Sequence, residues 1–244
     1  MNPEVKKRLN REEPPKDIEI EPSENRDVKD LWSPCLEIIY KLREQIEGAE
    51  YGSVVGDDAS GRIPTLIIGN AISKIYERNG DKSPQILVLA GGGGELKTEK
   101  IVSYLEESAA RGKFDIGRKV LLVTDFLVTG SSIDPILAAL RKIGVEYDVS
   151  SVSSTRDESY WSNTLKTKAA IGRGRDEPKI YGKHHLSGVY KRSDEVTSRP
   201  FKEFAKDENE AQELINQSRK DAAQVSDSIV DYYEKRLKDD KDFK

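Results

Sequence analysis

A single cysteine, Cys35, stands in a chain of 244 residues. No disulfide can therefore form within the chain, and no cysteine-based zinc site can be built. The two histidines, His184 and His185, are adjacent. Neighbours on a strand point to opposite faces, so the pair reads as part of a surface strand, with contact to a substrate base as the other reading. No apolar run approaches the ~20 residues that a membrane span requires. The basic start, Met1 to Arg8, has no hydrophobic stretch behind it, which argues against a secretory leader. A basic excess is missing too. Lys plus Arg number 40 against 44 for Asp plus Glu, a net charge of -4, so nucleic acid is not the expected partner. These absences together predict a soluble, cytoplasmic protein that has no membrane segment.

What is present is unevenly spread. Charged residues make up 34% and hydrophobic residues 36% of the chain. Residues 1–28 are dominated by charge and proline and bury too little apolar surface to offset their ordering entropy, so a mobile extension is expected there. Residues 29–205 read as one domain. Leu36, Ile39, Tyr40, Leu42 and Ile46 fall at mostly helical spacing, with Pro34 suited to a first turn. Strand and helix then alternate. Ser53–Val55 is a strand candidate, and a helix opens at Pro64 and closes at Asn79-Gly80. The continuous apolar runs Gln85–Ala90 and Val120–Val123 suit strands covered on both faces, and a third strand spans Glu146–Val152. The helices between them carry Ile101, Val102, Leu105 and Ala109, and then Ile136, Leu137, Leu140 and Ile143. The fold class is α/β, a mostly parallel sheet flanked by helices. Residues 156–200 show no clear period, with short strands expected around Ile180 and Ser187–Tyr190.

In such a sheet, ligands gather beyond the carboxyl ends of the strands. Three loops leave those ends: 56–62, 91–94 and 124–132. In the third, Thr129, Gly130, Ser131 and Ser132 stand where a strand passes into a helix. Amide N–H groups and the helix dipole favour an anion at that place, and the hydroxyls add donors. Asp125 is an acceptor and cannot help to bind phosphate, so the pair suggests a phosphorylated ligand that also carries hydroxyls, such as a sugar phosphate. The competing reading is an ordinary strand-to-helix turn. In the first loop, Asp57, Asp58, Ser60 and Gly61 read equally as a surface turn. Gly91–Gly94 fail as a nucleotide P-loop, because Leu96 stands where its second Gly must be, and fail as a dinucleotide motif for the same residue. Close backbone approach to a ligand, or a hinge, is the remaining reading. Arg173, Gly174 and Arg175, with Tyr160 and Trp161 nearby, read as a flexible polar loop, with contact to a base or phosphate as the other reading.

The run Val120-Leu121-Leu122-Val123-Thr124-Asp125-Phe126-Leu127-Val128-Thr129-Gly130-Ser131-Ser132 resembles the ribose-phosphate signature of the type I phosphoribosyltransferases. That resemblance implies binding of 5-phosphoribosyl-1-pyrophosphate (PRPP) with Mg2+, the metal being carried on the ligand. It also implies transfer of the phosphoribosyl group to a nitrogen of a base. Asp125 would hold the ribose hydroxyls as the catalytic residue, with Thr124 beside it. Val128, Thr129, Gly130, Ser131 and Ser132 would cradle the 5'-phosphate. Ser60, Gly61 and Arg62 would match the pyrophosphate loop. The family usually has two adjacent acidic residues, whereas the first position here is Thr124. Family members often place a hairpin lid after the second strand, where this chain has glycines and then a helical pattern. The alternative function is a protein of the same fold that senses PRPP or a nucleotide without turnover, which Thr124 favours. Residues 206–244 read as a long C-terminal helix. Its apolar seam of Ala211, Ile215, Ser218, Ala222, Val225, Ile229 and Tyr232 faces either the body or a partner, a second copy of the chain included.

Overall fold

An unbroken apolar run suits a strand buried on both faces, and in the computed structural model Val120–Val123 is such a strand, whereas Gln85–Leu89 lies at the sheet edge with Gln85, Ile86 and Val88 half-buried. The structure describes residues 28, 30–57, 61–91, 95–172, 189–190, 195–197, 199–200 and 208–242. The elements are α1 (Trp32–Lys41), α2 (Arg43–Glu47), β1 (Tyr51–Asp57), α3 (Arg62–Asn79), β2 (Gln85–Leu89) and α4 (Glu95–Ala110). There follow β3 (Lys119–Leu127), α5 (Asp134–Lys142), β4 (Tyr147–Ser154), α6 (Glu158–Leu165), β5 (Ala169–Ile171), β6 (Val189–Tyr190), β7 (Arg199–Pro200) and α7 (Glu208–Asp242). β1 to β5 form an all-parallel sheet in the order β2-β1-β3-β4-β5, while β6 and β7 pair antiparallel as a separate ribbon.

The sheet separates two apolar cores. Val54, Leu121, Val123, Val152 and Ala170 face a layer built from α1, α3 and α7. Val55, Leu87, Leu89, Val120, Leu122 and Val149 face α4, α5 and α6. Alternate residues along β1 and β3 thus enter opposite cores, as the pleat requires. The predicted α/β class and the C-terminal helix agree with this architecture.

Several expectations need correction. β1 extends to Asp57, which is buried as the last residue of the strand rather than part of a surface turn. α3 opens at Arg62, with Pro64 in its first turn, where the missing N–H costs nothing. The helix expected from Leu36 to Ile46 is two helices joined at Leu42. The stretch without clear period contains α6 and β5. A short helix with an Asp157 cap and a three-residue strand are too brief to show a period. Along α7, Ile215, Ser218, Ala222, Val225 and Ile229 are buried as the seam predicted, but Tyr233 rather than Tyr232 goes inside. That face packs on the chain's own α1 and α3: Ser226 donates to the carbonyl of Ile67 at 3.0 Å, and Trp32 Nε1 donates to Ser228 Oγ at 3.0 Å. Residues 1–27, Ile180, the two histidines, Arg173 and Arg175 lie outside the described residues. No described helix is long and apolar enough to cross a membrane.

At the amino end of the sheet a buried polar group ties three strands together. The Tyr51 hydroxyl donates to Asp148 Oδ2 at 2.8 Å, Lys119 Nζ lies 3.5 Å from the same oxygen, and Thr167 Oγ1 is 3.3 Å from Oδ1. Burial first, and Asp148 second, push the Tyr51 hydroxyl well above the usual tyrosine range. In the unfolded chain that hydroxyl ionises near pH ~10. Its contribution is therefore complete below that pH and is lost as pH rises beyond it. The thermal midpoint should fall on raising the pH above about 10, and Tyr51→Phe should flatten part of that fall. At neutral pH the same variant should cost about 1.5–3 kcal/mol, the worth of a hydrogen bond to a charged group. Circular dichroism melts across the pH series check both. A wild-type slope in the variant would contradict the assignment.

Candidate functional site

The strand order reverses at one place. From β1 the chain moves outward to β2, then returns to β3 on the other side of β1 and continues to β4 and β5. A crevice opens outside the carboxyl ends of the two strands at such a switch point. Those ends carry Asp57 on β1 and Thr124 and Asp125 on β3.

Thr124 is fully buried and pairs in register with Ser151 of β4. Its hydroxyl lies 3.3 Å from Asp125 Oδ1. Asp125 is half-buried, and its carbonyl accepts from Ser151 Oγ at 3.1 Å. By strand alternation Asp125 points with Leu121 and Val123, toward the layer that contains α3. It therefore does not point with Thr124, which takes the other face. The pleat starts the two side chains on opposite faces, yet at the strand end the Thr124 hydroxyl still reaches the Asp125 carboxylate.

Beyond β3 the chain turns sharply. Gly130 has φ +82°, a conformation glycine takes without steric cost. Its carbonyl accepts from both Ile133 N–H and Asp134 N–H at 3.1 Å. This turn delays the helix, so α5 begins at Asp134 and not directly after Ser132 as expected. Thr129 and Ser131 are exposed, their hydroxyls 3.0 Å apart, and Val128 is 53% exposed. The amides of Thr129, Gly130 and Ser132 meet no carbonyl among the described residues. Val128, Thr129, Gly130, Ser131 and Ser132 thus form one short, hydroxyl-rich bend with donors to spare.

Two neighbours brace this bend, and the sequence did not show that either would meet it. Trp161 of α6 is buried beneath it, its Nε1 donating to Ser154 Oγ at 2.5 Å, while Ser154 Oγ reaches the carbonyl of Leu127 at 3.1 Å. A Cβ at Gly130 would lie 3.5 Å from the Trp161 ring. On the other side, a Cβ at Gly91 would fall 1.9 Å from the Ser132 carbonyl oxygen. The first of the four glycines is therefore needed for the loop after β2 to touch the bend. An Asp-capped helix behind a glycine turn is the one signal that could have pointed to Trp161.

The first loop enters the site less completely. Gly61 N–H donates to the Asp57 carbonyl at 2.9 Å, and the Gly61 carbonyl accepts from Thr65 Oγ1 at 2.6 Å. Gly61 is buried so tightly that a Cβ would meet the Asp57 carbonyl oxygen at 2.3 Å and lie 3.2 Å from that of Val123. Its amide is thus committed within the chain. Arg62, half-buried, opens α3 directly after it. Ser60 lies outside the described residues. Beside β2, Ala90 N–H donates to the carbonyl of Val196 at 2.7 Å, and the buried Lys97 of α4 donates to the carbonyl of Glu195. Residues 195–197 are thereby pinned next to the carboxyl end of β2. An open groove of about 560 Å³ lies at the opposite end of the sheet, among Lys82, Gln85, Glu106, Phe114, Asp115 and Ile143. It includes none of the signature residues.

No protein-family model and no curated protein matches the chain. Among solved structures it is similar to a purine phosphoribosyltransferase from Pyrococcus horikoshii, at 13% identity over 50% of this chain and 73% of that one, with a TM-score of 0.32. It is also similar to a phosphoribosyltransferase from Corynebacterium diphtheriae, at 20% identity over 56% of this chain and 72% of that one, with a TM-score of 0.31.

Replacing Gly91 by Ala forces the loop after β2 away from Ser132. The variant should lose about 1–3 kcal/mol of stability, the cost of overpacking a closed contact. Urea denaturation measures this, and an unchanged midpoint would show that the two loops do not press together.

Proposed function

We propose that the protein binds a ribose 5-phosphate ligand, PRPP in the first instance, and transfers its phosphoribosyl group to a nitrogen acceptor as a type I phosphoribosyltransferase does. The observation that carries this reading is the bend Val128–Ser132 beside Asp125 at the switch point. It offers uncommitted amides and exposed hydroxyls to a phosphate, with a half-buried carboxylate next to them for a diol.

In the transfer, the acceptor nitrogen forms a bond to the sugar C1 as the bond from C1 to the pyrophosphate oxygen breaks. The electron pair leaves with pyrophosphate, and the nitrogen's proton passes to water. The protein's part is to position the ring and to stabilise the positive charge that grows on it. Asp125 holds the ribose hydroxyls, and the bend fixes the 5'-phosphate. Arg62, at the opening of α3, faces the pyrophosphate.

The residues fit Mg2+ carried in on the ligand. A hard cation takes oxygen ligands and keeps much of its water, and the carboxylates and hydroxyls at this end of the sheet are oxygen donors of that kind. When bound, the metal would neutralise charge on the leaving pyrophosphate. Asp125 is then the protein carboxylate that faces the sugar.

One observation favours a second reading, ligand sensing without turnover. Thr124 is neutral and fully buried, so the first of the two acids usual in the family is missing from its place on β3. Pyrophosphate release separates the two: release with one of a panel of bases supports transfer, whereas binding without release supports sensing.

Asp125→Asn removes the charge from the hydrogen-bond acceptor for the sugar. It should weaken PRPP binding by about tenfold or more, since hydrogen bonds to ionised groups are roughly twice as strong as neutral ones. Titration calorimetry with PRPP and Mg2+ reads this, and an unchanged dissociation constant would count against the ribose role.

A further inference from the structure

Resting on the ribose-phosphate reading, we propose that Asp57 supplies from β1 the negative charge that Thr124 leaves out of β3. The two strands pair in parallel with Gly56 opposite Val123. One residue further along the same register, Asp57 comes beside Thr124. Both occupy the same face, because Val55 and Leu122, two residues before each, enter the same core. Adjacent strands lie about 4.8 Å apart, so the carboxylate is displaced by one strand spacing from the place where the family usually carries its first acid.

The surroundings of Asp57 set it against the site. It is 2% exposed and stands at the switch point itself. A Cβ on Gly91 would lie 3.0 Å from Asp57 Oδ1 and press on the carbonyl oxygen of Ser132. The carboxylate thus sits behind the wall that the loop after β2 and the phosphate bend build together. Asp57 touches no ligand from there. It acts through its field, which burial preserves, because salt and water screen a buried charge far less than an exposed one. Asp57 is accordingly a positioning residue for a cation-bearing ligand and for the positive charge that grows on the sugar ring. Its carboxylate on β1 and that of Asp125 on β3 flank the crevice from two strands, where the family usually places both on one.

The test compares PRPP affinity with and without Mg2+ by calorimetry, in the full chain. In the wild type Mg2+ should strengthen binding. Asp57→Asn keeps the shape and removes the charge, and should reduce that enhancement about tenfold, as expected for a charge acting through a partly buried path. The double variant Asp57→Asn, Thr124→Asp returns a carboxylate to the neighbouring strand and should restore the enhancement. A structural role alone would move both affinities together and would not be rescued. If the wild type binds no PRPP under either condition, the ribose-phosphate reading itself fails. If the wild type binds and the enhancement is the same in Asp57→Asn, only the role of Asp57 fails. Should Asp57→Asn not fold, the double variant decides: an enhancement retained supports the proposal, and one lost in a folded protein overturns it. Failure of both to fold would assign the carboxylate to folding and overturn the proposal.

Discussion

Parallel pairing between β1 and β3 is the constraint from which the rest of this molecule follows. β1 lies inside the sheet, and the chain passes from it outward to β2 and then back to β3 on its other side, so the connections diverge above it. Two loops that would otherwise run side by side are led apart, and a crevice opens between them. The same pairing brings β1's last residue, Asp57, level with Thr124 and leaves Gly61 pressed beside the Val123 carbonyl. Asp57, Gly61, Asp125 and the bend after β3 all follow from this one pair of strands.

Glycine makes those approaches feasible, each for a separate reason. At Gly130 the requirement is conformational, a positive φ that turns the chain before α5. At Gly91 and Gly61 it is space, since a single carbon would collide with a carbonyl oxygen. The bend is thereby held by Trp161 from beneath and by the loop after β2 from the side. A phosphate site needs such bracing, because free amides are useful only if they already point the right way. Ser150, Ser151, Ser153 and Ser154 of β4 are fully buried and contribute to the same end. Ser151 and Ser154 hold the carbonyls of Asp125 and Leu127 at 3.1 Å, which ties the exit of β3 to its neighbour.

Polar groups at the two ends of the sheet serve different purposes. At the amino end, Tyr51, Asp148, Lys119 and Glu50 satisfy one another, and the arrangement closes on itself. At the carboxyl end the amides of Thr129, Gly130 and Ser132 meet no carbonyl among the described residues. That asymmetry is what distinguishes a structural polar network from a surface built to receive a ligand.

Alternating buried strands and amphipathic helices were legible along the chain because period is a local property. The runs Gln85–Ala90 and Val120–Val123 read as strands and became β2 at the sheet edge and β3 in its interior, and Asn79-Gly80 read as a helix end and became one. The hydroxyl-rich bend was legible for the same reason, being a contiguous stretch from Val128 to Ser132 that follows an apolar strand. Strand alternation could have parted Thr124 from Asp125, but adjacency in the signature hid it. The position of Asp57 was hidden by distance, since 67 positions separate it from Thr124 and only register joins them. The meeting of Trp161 and Gly91 with the bend, and the pinning of segment 195–197 beside β2, belong to the same class. Periodicity and composition report which face a residue prefers. Which residues from remote segments meet on that face depends on strand order and register, and these are set by burying all five strands at once.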